Sequence, residues 1–121
     1  MGTVNRPKGN LYDAVQAVVD ALQGLGISPI TDPRNARPNA VLVELPTVDS
    51  FTYNVSDIRL MVRCLAPPPG NEDTANMLMT LADKIIDSEI AVTSARPGYA
   101  TYGNQEMPTY DLTVALAIKR N

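Results

Sequence analysis

The stretch Ile58-Arg59-Leu60-Met61-Val62-Arg63-Cys64-Leu65-Ala66-Pro67-Pro68-Pro69-Gly70-Asn71-Glu72-Asp73 carries the change of periodicity that decides the fold. From Ile58 to Leu65 the pattern repeats every two residues, as a half-buried strand requires. Ile58, Leu60, Val62 and Cys64 fall on one side, and Arg59, Met61, Arg63 and Leu65 on the other. Three prolines then remove backbone donors and bar both helix and central strand. Asn71 is a capping residue type, and Glu72 and Asp73 suit the positive end of a helix dipole. The spacing predicts a helix over 72–88 with an inner stripe of Ala75, Leu78, Ala82, Ile85 and Ile86. Met77, Met79 and Leu81 widen its apolar surface beyond one stripe.

Toward the N-terminus, Leu11, Ala14, Val15, Val18, Val19 and Leu22 follow helical spacing. Asn10 is placed to cap them, Asp13 sits in the first turn, and Gly24 and Gly26 end the run, giving a helix over 11–24. Residues 1–9 read as a flexible arm. Residues 27–31 read as a short edge strand broken by Pro29, and 32–39 as turn chemistry. Ala40 to Leu45 reads as a strand stopped by Pro46, 46–50 as a turn or loop, and Phe51 to Val55 as extended. Toward the C-terminus, Ala91 to Ala95 reads as a strand, turned by Arg96-Pro97-Gly98. Tyr99 to Thr109 reads as a polar hairpin or loop. Tyr110 to Lys119 alternates, with Leu112, Val114, Leu116 and Ile118 on one side. The order implies one α+β domain over 1–121: a mostly antiparallel sheet with two helices packed on one face.

The 121 residues suit one domain with one core. Aromatic residues are few, five Tyr and one Phe with no Trp, so that core is aliphatic. The net charge of −3 and a sequence pI near 4.7 oppose a nucleic-acid grip, which rests on a dense Lys/Arg surface. A single cysteine forbids an internal disulfide and favours a reducing compartment. No apolar run is long enough to span a membrane.

Catalytic chemistry finds little to work with. The chain has no His, hence no imidazole base and no Ser–His or Cys–His pair. One Cys with scattered carboxylates is a poor zinc set, so no metal and no cofactor is expected. Cys64 is in phase with Ile58, Leu60 and Val62, the reading of a small buried hydrophobe rather than a reactive thiol. Glu72-Asp73 is explained by the helix N-terminus, and Asp83/Asp87 by a solvated helix face. Gly24-Leu25-Gly26 follows a helix, whereas a dinucleotide loop follows a strand.

Contact chemistry is better represented. Arg59 and Arg63 share a strand side, and Glu44 and Asp111 are placed to face them. This is either cross-strand pairing on a wet sheet face or a subunit interface or channel lining. Tyr99, Tyr102 and Tyr110 bracket a polar segment. Either they fold back onto their own domain or they offer rigid contact area to a partner.

The helix ending Leu22-Gln23-Gly24-Leu25-Gly26 and the Pro-bounded strand Arg37-Pro38-Asn39-Ala40-Val41-Leu42-Val43-Glu44-Leu45-Pro46 form part of a larger pattern. It includes the strand–proline–helix run from Ile58 to Asp87. It also includes Thr93-Ser94-Ala95-Arg96-Pro97-Gly98-Tyr99 followed by Met107-Pro108-Thr109-Tyr110-Asp111-Leu112-Thr113-Val114. In pattern and layout, over nearly the whole chain, this resembles the tail terminator proteins of long-tailed phages, especially those of actinobacteria. The resemblance implies a non-enzymatic virion protein, assembled in the host cytoplasm. It would form a hexameric ring at the head-proximal end of the tail tube and end tube polymerisation. Its partners would be the tail tube protein, the head–tail connector protein and the tape measure protein, with DNA passing through the lumen unheld. Arg37, Glu44, Arg59 and Arg63 are then candidates for ring contacts or the lumen, and Tyr99, Tyr102 and Tyr110 for contacts with a neighbour or the tube. The arm could also reach a neighbour. The rival expectations are a head–tail connector or neck subunit of the same virion, a small enzyme or nucleotide-binding domain, and a small cellular interaction domain.

Overall fold

In the computed structural model the described residues are 11–51, 55–67 and 72–119. Helix α1 spans Leu11–Gly24, and strand β1 is the two-residue Pro29–Ile30. A single 3-10 turn follows at Pro33–Asn35, capped by the Asp32 side chain, which accepts from the Arg34 backbone N–H. Then come β2 (Val41–Val43), β3 (Thr47–Phe51) and β4 (Val55–Leu65), α2 (Glu72–Ile86), β5 (Val92–Tyr102) and β6 (Gln105–Lys119). The sheet has six strands in the order β1-β2-β4-β6-β5, with β3 also pairing β4. Among the described residues only the β1–β2 pair is parallel. This is the α+β architecture expected from the sequence.

The sheet is built around β4 and β6, which pair over their length from Val55↔Lys119 to Leu65↔Thr109. Their inward side chains, Leu60, Val62, Cys64, Leu112 and Val114, join Val41 and Val43 under both helices. Helix α1 contributes Val18, Val19 and Leu22, and α2 contributes Leu78, Ala82 and Ile85. Ala14 and Ile58 continue the core near the Val55 end of β4, with Leu11 and Leu116 packed beside them. A second, smaller cluster lies on the other side of the sheet. It holds Ala40, Leu42, Leu65 and Met107, with Ile30, Ala36 and Tyr102 against it.

The first helix has the span its periodicity predicts; its proposed cap, Asn10, and the arm 1–9 lie outside the described residues. So do Pro68, Pro69, Gly70 and the proposed cap Asn71. Gly26 takes a positive φ of 82° and receives the chain after α1, while Gly24 stays helical. Helix α2 ends at Ile86, and its buried stripe is rotated from the expected one. Thr74, Leu78, Ala82 and Ile85 are buried, whereas Ala75 is exposed and Ile86 is largely so. The rotation turns Ala75 and Met79 toward the β5–β6 end of the sheet.

Two loop assignments are overturned. Residues 46–50 were expected as turn or loop, but Thr47–Phe51 is a strand. Glu44 already donates its N–H to the Met61 carbonyl, and pairing with β4 resumes at Thr47↔Arg59. Thus β2 and β3 run along one edge of β4, interrupted by Leu45 and by Pro46, which has no N–H to offer. The open edge of Ser56–Arg59 supplies the partners that poor local propensity at Asp49 and Ser50 does not supply.

The second correction concerns Arg96-Pro97-Gly98, which does not turn the chain. Strand β5 runs through it to Tyr102, and the hairpin turns at Gly103-Asn104, inside the segment read as a hairpin or loop. Strand β5 is the sheet edge, so the donor missing at Pro97 costs no ladder bond to a further strand. Gly103 has φ 64°, the pattern of a type II′ turn with glycine at its first central position. A β-branched side chain is strained there. Gly103→Val is expected to cost about 1–2 kcal/mol in urea unfolding, with the far-ultraviolet spectrum retained.

Candidate interaction surface

The two helices cover one face of the sheet. On the opposite face, β4 contributes Arg59, Met61 and Arg63, and β6 contributes Asp111 and Thr113, register partners of Arg63 and Met61. Arg96 stands across from Asp111 on β5. Among the described residues no helix packs on this face.

Arg63 is its centre. Its Nε lies 3.4 Å from Glu44 Oε2 and 3.6 Å from Asp111 Oδ1. Its Nη1 lies 3.5 Å from the Tyr102 hydroxyl, and its Nε 3.4 Å from the Met61 sulfur. The Arg63 side chain is only 25% exposed and that of Asp111 17%. Burial alone would lower the Arg63 pKa, but the Asp111 and Glu44 charges, helped by Tyr102, outweigh it and raise the pKa above its ordinary value. The expected facing of Arg63 by Glu44 and Asp111 is therefore what the strands produce.

Arg59 belongs to a separate pair. Its Nη2 donates to Asp49 Oδ1 at 3.0 Å, and both side chains are substantially exposed. Asp49 sits at the register shift between Val48 and Ser50, where a bulge re-aims a side chain. Asp49 escaped the sequence reading because it lay in a presumed loop; no local signal marks it. Arg37 joins neither group. It is exposed on the connection from β1 to β2, where its Nη1 donates to the Asn35 carbonyl at 3.1 Å.

The three tyrosines do not form one patch. Tyr102 lies on the open face, packed on the small Leu42–Met107 cluster with its hydroxyl toward Arg63. Tyr99 and Tyr110 line a groove on the helix side of the sheet. That groove, about 590 Å³, runs between α2 and the β5–β6 hairpin, and its walls include Ala75, Leu78, Met79, Pro97 and Pro108. Tyr110 is half-buried and packs against the main core, so it partly folds back. Tyr99 is 67% exposed and Met79 47%. Gly98, on the strand between Pro97 and Tyr99, lets the Asp111 and Thr109 side chains close in. A Cβ there would lie 3.2 Å from Asp111 Oδ2 and 3.3 Å from Thr109 Oγ1.

Cys64 is buried against the helices, as its phase predicts, and burial followed by the Asp111 charge pushes its thiol up from 9.0 to about 12. The folded protein is expected to react with a disulfide reagent at pH 8 at least 100-fold more slowly than the urea-unfolded chain. The folded pKa is raised, so the stability it confers is complete below about pH 9. It is lost as pH rises toward 12, where the unfolded thiol ionises first.

Among the described residues no three His, Cys, Asp or Glu side chains are grouped to hold a metal ion. No helix there is long and apolar enough to cross a membrane. The pairs Glu72/Asp73 and Asp83/Asp87 are exposed on α2. The chemistry these surfaces offer is charge pairing and apolar contact. Comparison with known protein families and with curated proteins finds no match to the chain.

Proposed function

We propose that the protein is a structural ring subunit of a long-tailed phage virion, seated at the head-proximal end of the tail tube, where it ends tube polymerisation. In this reading copies of the chain form a hexamer that meets the tail tube protein on one side and the head–tail connector on the other. The tape measure protein and DNA occupy or traverse the lumen, and the subunit catalyses nothing.

The observation that supports the reading is the part of the sheet face around Arg59, Met61 and Arg63, which neither α1 nor α2 covers. It is polar but ordered, with Arg63 held between Glu44 and Asp111 and with Arg59 held by Asp49. Charges fixed in this way set orientation and register between subunits at little cost in side-chain entropy. A net negative subunit also fits a lumen that lets DNA slide.

The test is deletion of the gene in its source phage, with the lysate imaged by negative stain. Tails of uncontrolled length, unattached to heads, are the expected result. Normal-length tails beside unattached heads would replace this reading with a connector. Intact infectious particles would overturn the virion assignment altogether.

A further inference from the structure

Helix α2 carries a second stripe on its outer side. Met79 and Ile86 are exposed there, in helical phase with the exposed Ala75. Two acids bound the part around Met79. Glu72 and Asp83 are three helical turns apart, so they point within about 20° of each other and stand about 16 to 17 Å apart along the helix. Both are exposed, and among the described residues neither forms an ion pair.

The sheet face that the helices leave open has the reverse arrangement. Arg59 and Arg96 flank a depression of about 360 Å³ whose walls include Met61, Ser94 and Thr113. Arg59 lies opposite Ala115 and Arg96 opposite Asp111, on the two sides of β6. Four residues along the strand and two strand spacings across it put them about 16 to 17 Å apart. Thr113 is at the midpoint, between its register partners Met61 and Ser94. Arg96 is exposed and among the described residues has no carboxylate within ion-pair distance, since Asp111 is turned to Arg63. Arg59 shares an exposed pair with Asp49, and a guanidinium has donors left for a second carboxylate.

The acids flanking Met79 therefore match, in sign and in spacing, the arginines flanking Met61 and Thr113. The two surfaces belong to opposite layers of one domain, so a single chain cannot bring them together. Between copies the contact is heterologous: each chain gives its helix stripe to one neighbour and its sheet face to the other, the arrangement that closes rings. Opposite charges at both ends of an apolar centre fix register between chains whose net charge would otherwise hold them apart.

We infer that the outer stripe of α2 in one copy packs across the β4–β6–β5 face of the next, with Met79 over Thr113 and with Glu72 and Asp83 on Arg59 and Arg96. The inference rests on the ring proposed above and names the contact between its subunits.

The test uses two full-length chains, one carrying Ser94→Cys and one tagged chain carrying Asn76→Cys on the α2 stripe. They are mixed and treated with a short bismaleimide. A cross-linked heterodimer is expected at ten or more times the yield obtained when the tagged chain carries Ala17→Cys, an exposed position on α1. Adding Arg59→Glu and Arg96→Glu to the first chain should lower that yield at least fivefold, with circular dichroism confirming the fold. Adding Glu72→Arg and Asp83→Arg to the second chain as well should restore at least half of it. Oligomer size is followed in parallel by light scattering. Oligomers that persist while the cross-link stays at the Ala17→Cys level, or ignores the charge reversals, would overturn this contact and leave the ring reading standing. Chains that neither link nor associate at any concentration would overturn it too, and the gene deletion then decides the ring reading separately.

Discussion

Truncating Leu112 to alanine is expected to lower the unfolding free energy by about 3–5 kcal/mol, among the largest effects of any single side-chain truncation in this chain. Leu112 is fully buried on β6, the strand held between β4 and β5. Its register partners are Val62 on one side and Ala95 on the other, and the helices close over it. A cavity at that point is walled by two paired strands and cannot collapse without disturbing both ladders. Part of the penalty is therefore the unfilled volume, beyond the transfer free energy of the lost methyl groups. Urea titration checks this as a lower midpoint at unchanged slope. With total stability for a domain of this size on the order of 5–15 kcal/mol, the variant should unfold at markedly lower temperature. A cost below about 1 kcal/mol would mean that the β4–β6–β5 centre is more plastic than the packing indicates.

Replacing Arg63 with methionine is expected to destabilise the chain by roughly 2 kcal/mol, through what it leaves behind more than through what it removes. Glu44 and Asp111 both approach the guanidinium, and without it two partly buried carboxylates face each other with no counter-charge. The site is partly solvated, which keeps the cost below that of a fully buried pair. A double variant discriminates this cause from lost packing. Arg63→Met with Asp111→Asn should recover more than half of the loss, since one stranded charge has gone. Arg59→Met should cost less than about 0.5 kcal/mol, because its pair with Asp49 is exposed. Under the proposed function the two arginines then separate stability from assembly. Arg59→Met should weaken rings seen by negative stain while leaving the urea midpoint in place; unchanged rings would remove Arg59 from the interface.

The readable parts of the fold are those whose signal lies within the element. Helix α1 spans Leu11–Gly24 as its spacing indicates, because its apolar stripe and terminal glycines are all local. The alternation from Ile58 to Cys64 and from Leu112 to Val114 gave the correct buried side for the same reason. Helix α2 was legible as a helix but not in its rotation. Thr74 and Ala75 are comparable on paper, and only the position of the β5–β6 hairpin decides which of them is covered. The Glu44–Arg63–Asp111 group was legible because β-strand parity alone places Arg63 and Asp111 on one face once β4 and β6 pair in register.

Local sequence thus determined where the chain is helical, where β4 and the later part of β6 run, and which side of them is apolar. Side-chain periodicity of two or 3.6 residues is imposed by the backbone and does not need a partner. Tertiary structure alone decided that Thr47–Phe51 is a strand, that β5 passes through Arg96-Pro97-Gly98, and that Tyr99 and Tyr102 end on opposite faces. A strand with weak propensity exists only where an unpaired edge offers hydrogen bonds to it. Proline is tolerated where no further strand asks for its missing N–H. Both conditions belong to the neighbours of a segment, the edges of β4 and β6, and so neither is written in the segment itself.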